Sequence, residues 1–452
     1  MKDNLVTVQK KILNIVRKYF LKKNSPFLNK SYFALYANNE GNQYIKDKIY
    51  KFKIDRIHKI KKILSENINM FNYSNLKIIS NCHDEKYYNN LVITWGSNTS
   101  FSLNGRFYDK YFSTYSSGHQ NTFWIILFDN KIKKKNLDKN VAVVYPHKNF
   151  INYYKFCKIF ILNLFYNIFG FKKKIINRDM LISKCINDFI LKKKSLSKLK
   201  NLLIPYEGQP FQKRIFFKQK IKNKDLTTYG LDHSAPHSMA TQLYHTIGSP
   251  DILLVSGLNV KKCYSKFYNW SPKKIQLSFP TRYKNFDKHN FLNKLFLPYD
   301  LINEDIILEN VDFFLRNRKN KSLKKFSVNI HPEKNNNKQH ILLKKKIEKI
   351  LNRYEKKFSI NSTNDITIAV GFTTTPIVAL EFKLSVLHIC PNPTFDAYLN
   401  YFWPDIIIKR INKFSFLYSL KKIGTYLNFK NRNRVLELIN DQKNQQQSVK
   451  NR

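Results

Sequence analysis

Short apolar runs alternate with longer amphipathic segments along the chain from residue 76 onward. The runs, such as LVITW, TFWIIL and VAVVY, are bounded by polar turn residues and predict buried strands. The longer segments place apolar side chains at helical spacing and predict helices of about 10–15 residues. Strands separated by helices in this way indicate βαβ units, so the pattern predicts an α/β fold built on parallel sheets.

Most elements are predicted individually. Strands are predicted for LKIISN, LVITWGS, TFWIILFDN, VAVVYPH, NLLIPYE, LTTYGLDHS, PDILLVSG, KKIQLSFPTRY, NKLFLPYD, KFSVNIHPE, DITIAVGFTT, SVLHICP and DIIIKR. Helices are predicted for INRDMLISKCINDFILKKKSLSKLK, PFQKRIFFKQKIKN, SMATQLYHTIG, LNVKKCYSKFYNW, INEDIILENVDFFLRN, KQHILLKKKIEKILNRYEKKF and TPIVALEFKL. The order contains no internal repeat of about 20–50 residues, which excludes a solenoid.

A polar, charged connector at residues 282–289 interrupts the alternation, which then restarts. The chain is therefore predicted to form two tandem Rossmann-like, doubly wound domains with a cleft between them, and ligands are expected at the carboxyl ends of the strands that face the cleft. The predicted division is a basic helical extension at 1–75, a first domain at 76–285, a second domain at 286–438 and a disordered polar tail at 439–452.

The formal net charge is +49, from 80 Lys and Arg residues against 31 Asp and Glu. Such an excess attracts polyanions such as nucleic acids, anionic lipids or phosphorylated substrates. The chain is also rich in Lys, Asn, Ile, Phe and Tyr, whose codons are A/T-rich, so genome base composition is an alternative source of the charge. Lysine far outnumbers arginine, which is the better bidentate ligand of phosphate, and this disfavours a dedicated nucleic-acid-binding protein.

The five cysteines are dispersed, with no CxxC pair and no Cys/His spacing typical of zinc. An odd, dispersed set is typical of a reducing compartment, so we expect a cytoplasmic protein that needs neither a metal nor another cofactor. The N-terminus has no apolar core followed by small residues, and it predicts a basic amphipathic helix rather than a secretory signal.

No run reaches about 18 consecutive apolar residues, so no membrane-spanning helix is predicted. The most apolar long segment, residues 156–174, is interrupted by Lys158, Asn163 and Asn167 and ends in three lysines. Two interpretations stay open for it. It is either a buried core helix, or an aromatic, basic segment that rests on an anionic bilayer and makes the protein peripheral on the inner face of the plasma membrane.

Three predicted strand ends carry candidate chemistry. In IPYEG, Glu207 follows an apolar strand and precedes Gly208, which suits either a general base at a cleft or an exposed turn residue. In NIHPE, Pro332 biases the backbone of His331 to an extended conformation at the strand end, where its imidazole could donate to a phosphate oxygen. The alternative is an ordinary loop histidine.

The third strand end is GFTTTP. Three hydroxyls precede Pro376, which fits the first turn of a helix, so the segment is either an anion site or a plain helix cap. Glu381 lies further along that helix, where it is either a ligand of a ribose hydroxyl or a surface ion-pair partner. The hydroxyl residues are Thr373, Thr374 and Thr375.

The acid–glycine pair, the His-Pro pair and the hydroxyl-rich helix start form an ordered set that resembles the bacterial sialyltransferases and polysialyltransferases and the related capsule and surface-carbohydrate transferases of GT-B architecture. Their motifs are an acidic–acidic–Gly triplet, His-Pro and a paired Ser/Thr run. The segment PDILLVSG is also similar to the end of the first domain in surface-polysaccharide transferases. The resemblance covers residues 75–430. Tyr206 departs from it, because the family carries a further acid there, and this leaves the identity of the sugar open.

The resemblance implies a glycosyltransferase that moves a sugar from a nucleotide sugar to a growing surface polysaccharide or glycolipid without a metal. It implies that Glu207 acts as base on the acceptor hydroxyl, that His331 contacts the donor phosphate, and that the three threonines hold the same phosphate. A nucleotide-sugar epimerase or polyol-phosphate transferase of the same architecture is the alternative enzyme. A basic nucleic-acid-binding protein is the alternative outside the enzymes.

Further polar residues are candidates on the donor side of the predicted cleft. Ser256 and Gly257 follow the strand PDILLV and are expected to touch the nucleotide. Arg282 lies at the connector and is expected either to pair with a phosphate or to bridge the domains.

The acceptor side has its own candidates. His233 is expected in a loop that lines the acceptor cleft, with a metal site formed together with Asp232 and His237 as the less favoured alternative. The segment SLNGRFYDKYFS is expected either to close over an acceptor sugar or to be a structural loop packed on aromatic side chains. Its candidate ligands are Asn104, Arg106 and Asp109.

Overall fold

The computed structural model describes residues 2–22, 73–81, 86–102, 104–128, 136–147, 150–168, 178–317, 326–355 and 366–440. These residues form a mixed α/β fold whose two large sheets are predominantly parallel, which confirms the α/β part of the prediction. The helical prediction for residues 23–72 and the part of the predicted disordered tail at 441–452 lie outside the described residues. The tail, predicted at 439–452, is wrong for its first two residues, because Ile439 and Asn440 end a helix and Ile439 is buried.

The first sheet has eight strands in the order β1-β6-β5-β2-β7-β8-β9-β10, and all neighbours are parallel except β1 and β6. Strands β5 and β6 are buried at every position because helices cover both faces of a parallel sheet. The strands are β1 (Leu76–Ser80), β2 (Asn90–Trp95), β5 (Thr122–Leu127), β6 (Val141–Pro146), β7 (Asn201–Pro205), β8 (Thr227–Leu231), β9 (Ile252–Val255) and β10 (Ile275–Leu277), with a separate small hairpin of β3 (Tyr108–Asp109) and β4 (Thr114–Tyr115).

The second sheet has six strands in the order β12-β11-β13-β14-β16-β15. Its first four strands are parallel, and β16 runs antiparallel to both β14 and β15. The strands are β11 (Lys294–Phe296), β12 (Ser327–Asn329), β13 (Ile366–Val370), β14 (Ser385–Ile389), β15 (Ile406–Arg410) and β16 (Ser415–Leu420).

Ten helices lie in the described part of the chain. Several begin or end as their sequences predict: α4 begins at Pro210, since proline fits a first helical turn, and α7 is capped by the Asn337 side chain. The helices are α1 (Lys2–Lys22), α2 (Phe150–Ile168), α3 (Arg178–Lys192), α4 (Pro210–Lys222), α5 (Leu258–Phe267), α6 (Glu304–Asn317), α7 (Lys338–Arg353), α8 (Thr375–Glu381), α9 (Pro393–Asp396) and α10 (Arg434–Asn440). None of the helices in these residues is long and apolar enough to cross a membrane.

Among its mutually parallel strands, each sheet changes the direction of its strand order once. In the first sheet, β5 and β6 follow β2 on one side, whereas β7 to β10 continue on its other side. In the second sheet the same change falls between β11 and β13. The carboxyl ends of strands at such a change leave a crevice, so the ends of β2 and β7 and the ends of β11 and β13 are where ligands are expected.

Two predictions about local structure are wrong. The segment SMATQLYHTIG forms loops around a single 3₁₀ turn at Thr241–Leu243 instead of a helix. Its apolar side chains Met239 and Leu243 are buried against both neighbouring elements, so tertiary packing overrides a helical spacing. The antiparallel strand β16 was also missed, together with the short hairpin β3–β4.

The two sheets share one continuous hydrophobic core. A single cluster of buried side chains includes Ile204 and Val255 of the first sheet and Val386 of the second. It also includes Ile12 and Val16 of α1, whose Gln9 side chain donates to the carbonyl oxygens of Thr394 and Ala397. Helix α1 therefore packs against the second half of the chain.

Helix α10 makes the reverse connection: it follows the second sheet in the chain but packs against the first sheet. Its Val435 and Ile439 join the buried cluster of the first sheet. The side chains of Asn90 and Thr122 donate to the carbonyl oxygens of Leu438 and Ile439, at 3.0 and 3.1 Å. Residues 434–438, which the sequence division assigns to the second domain, thus complete the first sheet.

Gly257 provides a test of this shared interface. A Cβ at this position would lie 2.4 Å from the carbonyl oxygens of both Thr425 and Tyr426, so Gly257→Ala must push the two halves apart. We expect a loss of about 1–3 kcal/mol in the free energy of unfolding, measured by urea denaturation. Gly118→Ala is the matched control, since a Cβ there meets nothing within 4 Å. Equal effects of the two substitutions would contradict the close approach.

Candidate functional site

Glu207 lies at the change in strand order of the first sheet, directly after β7. Its side chain is 43% exposed, and its Oε2 accepts a hydrogen bond from Gln209 Nε2 at 2.5 Å. Loss of hydration around the carboxylate raises its pKa above the ordinary glutamate value, although Gln209 opposes this. The group is reachable from solvent and binds a proton more readily than a surface carboxylate, as a general base requires.

The loop that carries Glu207 is held by hydrogen bonds between its backbone and the Gln212 side chain. The Oε1 of Gln212 accepts from the N–H groups of Glu207 and Gln209, both at 3.1 Å, while its Nε2 donates to Pro205. Gly208 has φ +70°, and a Cβ there would lie 2.1 Å from the carbonyl oxygen of Gln242. Glycine is therefore required both by the left-handed backbone and by the approach of the neighbouring loop.

Tyr206, where the resembling family carries an acid, is a core residue. It is 1% exposed and its ring packs on Phe216 with centroids 6.0 Å apart. A Cβ at Gly230 would meet its side chain at 2.8 Å, so Tyr206 fills the space beside β8. Successive residues at a strand end point to opposite sides, and only Glu207 faces the crevice.

His233 lies beside Glu207, as its assignment to this cleft predicts. Its Nε2 is 3.4 Å from Glu207 Oε1, and the imidazole is 6% exposed. Burial, followed by the cations Arg282 and Lys110, holds the pKa of His233 well below its ordinary value. The histidine is thus neutral at pH 7, and it can donate a hydrogen bond to the carboxylate without forming an ion pair.

Arg282 is the cation that links the two halves of the site. The guanidinium is exposed and donates to Ser234 Oγ at 3.3 Å. It lowers the pKa of Glu207 and also that of His331 in the second half, so it lies within electrostatic reach of both groups. Glu333 acts across the same gap, because it raises the pKa of Glu207.

His331 follows β12 with φ −54° and ψ 131°, the extended backbone predicted from Pro332. The N–H of Glu333 donates to His331 Nδ1 at 3.4 Å, and the Tyr299 ring contacts the imidazole edge to face at 5.3 Å. Burial is the largest cause that lowers its pKa. A neutral imidazole whose Nδ1 accepts carries its proton on Nε2, which is then the atom that can donate to a ligand.

The threonine run lies at the change in strand order of the second sheet, after β13. Thr373 Oγ1 accepts from the N–H of Thr375 at 3.2 Å and lies 2.9 Å from Thr375 Oγ1. Thr374 has the N-cap position of α8. The Thr374 side chain makes no capping hydrogen bond, and only the Thr373 hydroxyl accepts a backbone N–H of the helix start. Helix α8 has only seven residues, so its dipole is a weaker anion attractor than the sequence suggests.

The loop after β8, residues 232–240, holds the two halves together beside this site. The Tyr398 hydroxyl lies 2.9 Å from the carbonyl oxygens of both Pro236 and Thr373. His237 stacks on Phe372, with ring centroids 4.6 Å apart and planes at 4°. These contacts join the Glu207 side of the crevice directly to the threonine run.

A small pocket opens at the carboxyl ends of β8, β9 and β10. Asp232, His233, Ser256 and Ser278 line it. Burial and the nearby Glu207 raise the pKa of Asp232 to about 7, although the Tyr264 hydroxyl donates to its carboxylate at 2.7 Å. Burial thus favours the protonated form of the Asp232 carboxyl.

The structure corrects part of the donor-side prediction. Ser256 lines the pocket, but its hydroxyl donates to the Tyr426 carbonyl oxygen at 2.9 Å. Gly257 is covered by the backbone of Thr425 and Tyr426, so no nucleotide can approach it. Glycine is needed here for contact between the halves.

The prediction for Glu381 is also wrong. The residue is 4% exposed, and its carboxylate accepts from the N–H groups of Gly424, Tyr426 and Leu427 at 2.5, 2.6 and 3.1 Å. Burial raises its pKa against the effect of these donors. A carboxylate engaged in this way fixes the 424–427 loop and cannot bind a ribose.

On the acceptor side, Asp109 differs from its prediction. It is 0% exposed, and its Oδ1 accepts from the N–H groups of Tyr111 and Phe112 at 2.7 and 3.1 Å. Burial raises its pKa to about 6. Asp109 is a turn-forming residue. Asn104 and Arg106 are exposed on the preceding turn, whose hydrogen bonds run between Ser102 and Arg106, and their role stays a prediction.

Two aromatic residues of the site were not identified from the sequence. Tyr111 contacts His233 edge to face at 4.6 Å, and Trp95 at the end of β2 lies 6.0 Å from Tyr111 and 5.8 Å from Phe211. They form an aromatic wall beside Glu207. Trp95 could have been found, since it ends the strand at which the order of the first sheet changes.

Among the described residues, no group of three or more His, Cys, Asp and Glu side chains is arranged to hold a metal ion. Comparison with known proteins adds no family assignment. No protein-family model matches the chain, and no curated protein matches it in sequence.

Glu381→Gln tests whether the Glu381 carboxylate has a structural role. Loss of charge-assisted hydrogen bonds to the 424–427 loop is expected to cost about 1–3 kcal/mol of unfolding free energy, measured by urea denaturation. Glu437→Gln, which removes only an exposed contact with Arg434, is the control and is expected to change stability by less than about 1 kcal/mol. A Glu381 variant with unchanged stability would contradict the assignment.

Proposed function

We propose that the protein is a glycosyltransferase that uses a nucleotide-sugar donor and a surface polysaccharide or glycolipid acceptor. The observation that carries the proposal is the common electrostatic environment of Glu207 and His331, two groups on different sheets that Arg282 influences together. A base for the acceptor and a donor to the leaving phosphate are the two functions that glycosyl transfer needs.

The topology supports the two-domain, Rossmann-like GT-B architecture for this enzyme. Each sheet has one change in strand order, and Glu207 and the threonine run follow the strands at those two changes. The four described cysteines are free thiols, which supports the proposed cytoplasmic location.

Each residue of the site has its own role in the proposed reaction. Glu207 takes the proton of the acceptor hydroxyl as that oxygen forms a bond with the anomeric carbon of the donor. The bond between the anomeric carbon and the phosphate oxygen breaks, and its electron pair leaves with the nucleotide. Arg282 and the Nε2–H of His331 stabilise the charge on the departing phosphate, with the hydroxyls of Thr373 and Thr375 beside it. Trp95 and Tyr111 offer apolar faces to the acceptor sugar.

His233 is a positioning residue in this scheme. Its neutral imidazole lies 3.4 Å from one carboxylate oxygen of Glu207 and leaves the other oxygen to Gln209, so the acceptor hydroxyl is approached by a carboxylate of fixed orientation. No metal is assigned a role. EDTA treatment that stops turnover, with recovery on addition of a divalent cation, would contradict this part of the proposal.

Glu207→Gln tests the base. Thermal-shift screening against CMP, UDP, GDP and their sugars first identifies the donor, and turnover is then followed as nucleotide release in the presence of acceptor glycans. The variant is expected to lose roughly a hundred- to ten-thousand-fold in kcat while it retains nucleotide affinity. His331→Ala is the complementary variant, with weaker nucleotide binding as well as slower turnover. Full activity of Glu207→Gln would exclude the base assignment.

The pH profile gives an independent test. Glu207 must be ionised, so kcat/KM falls as pH drops through its pKa, which burial raises. Arg282 lowers this pKa, and Arg282→Gln should therefore move the acid limb to higher pH. Glu333 raises it, and Glu333→Gln should move the limb to lower pH. Shifts in the same direction, or none, would show that another group controls the limb.

The screen also discriminates the other candidate functions. Release of a free epimerised nucleotide sugar would indicate an epimerase, and transfer of a phosphorylated polyol would indicate a polyol-phosphate transferase. Tight binding of duplex DNA without any effect of nucleotides would favour a nucleic-acid-binding protein and contradict the proposal.

A further inference from the structure

Helix α2 carries a concentration of exposed apolar side chains. Tyr153, Tyr154 and Ile161 are 61%, 70% and 64% exposed, and Phe165 is 47% exposed. Spacings of seven and four residues, about two turns and one turn, place Tyr154, Ile161 and Phe165 along one side of the helix. An ordinary surface helix directs such residues to the core, so this exposure calls for a partner.

The opposite side of α2 shows which way the helix faces. Asn163 is 1% exposed, and the rings of Phe156 and Phe160 lie 5.9 Å apart on the half-buried side. The helix is thus attached to the protein through a side that includes a polar residue and presents aliphatic and tyrosine side chains outward. This arrangement excludes the interpretation of residues 156–168 as a fully buried core helix.

Charge identifies the partner. Helix α2 contains no Asp or Glu, and its Lys155 and Lys158 are exposed among the apolar residues. A second copy of a chain with a net charge of +49 would be repelled, whereas an anionic surface would be attracted. A nucleic acid would gain little from Ile161 and Phe165, but a lipid bilayer accepts both kinds of group.

We propose that α2 lies in the plane of an anionic membrane surface and docks the protein there. Ile161 and Phe165 enter the boundary between headgroups and acyl chains, and the tyrosines remain at headgroup level with their hydroxyls in water. The long stems of Lys155 and Lys158 carry their ammonium groups to the lipid phosphates. With two lysines and three asparagines along it, the helix lies on the bilayer and does not cross it.

The experiment is flotation of the full-length protein with vesicles of phosphatidylcholine alone or with about 30% phosphatidylglycerol. Wild-type protein is expected to float with the anionic vesicles and to be released by high salt. Replacement of Tyr153, Tyr154 and Ile161 by serine is expected to weaken binding on the order of ten-fold or more. Lys158→Gln should weaken it roughly five-fold, and only for anionic vesicles.

The matched control replaces three apolar residues of similar exposure in the second half of the chain. Leu342, Ile407 and Ile423 are 52%, 48% and 44% exposed, and their serine variants are expected to bind vesicles like the wild type. Circular dichroism checks the fold of every variant. If the α2 triple variant is unfolded, the single variants Ile161→Gln and Lys158→Gln provide the test instead.

Three results would overturn the proposal. The first is failure of the wild type to float with anionic vesicles, and the second is unchanged flotation of folded α2 variants. The third is a dimer in sedimentation that the α2 substitutions dissociate without lipid, since α2 would then be an interface between copies. None of these results depends on donor turnover, so the docking proposal and the proposed function fail separately.

Discussion

The attachment of the loop 232–240 to both sheets is the constraint on which the arrangement of the site depends. The Tyr398 hydroxyl lies between one carbonyl oxygen of this loop and one at the threonine run, and Trp403 donates from its indole to the Ser238 carbonyl at 3.0 Å. These donors are buried, and an unpaired buried carbonyl costs about 1–3 kcal/mol. The relative position of Glu207 and the second sheet is therefore set by hydrogen bonds that the protein cannot lose without a substantial cost.

This attachment also explains the electrostatics of the crevice. The chain is strongly basic, yet the groups at the site are neutral histidines and carboxylates whose pKa burial raises. Loss of hydration acts against both signs of charge, so it lowers the pKa of His233 and raises that of Asp232. Arg282 is an exposed cation that acts on the pKa of Glu207, His233 and His331.

The strands were predictable from the sequence because their apolar runs are continuous. Strands of a parallel sheet are buried on both faces, and TFWIIL and VAVVYP have no polar interruption. His331 and Glu207 could be found because each follows such a run at a glycine or a proline. Strand β16 was missed because serines interrupt the apolar run in SFLYSL, and its antiparallel pairing with β14 is not visible in the sequence.

The roles of Glu381 and Asp109 could not be predicted for a related reason. Both look like ligand-binding carboxylates in the sequence, and both accept hydrogen bonds from backbone N–H groups. For Glu381 these donors lie more than forty residues away, at 424–427. A sequence reports residue types and spacing, whereas the direction of a buried carboxylate is decided by which loop packs over it. Tyr206 and Glu207 show the same limit, since one of these adjacent residues is buried in the core and the other is exposed to the crevice.

The crossing of α10 onto the first sheet has a consequence for how the protein is made. Asn90 and Leu438 are hydrogen-bonded across 348 positions of the chain. On the ribosome, the first sheet is synthesised long before the helix that covers Val92 and Trp124, so that apolar surface stays open until residues 434–440 have emerged. The first half cannot reach its final state as an independent unit, and the interval before release is when it is most exposed to chaperones and to aggregation.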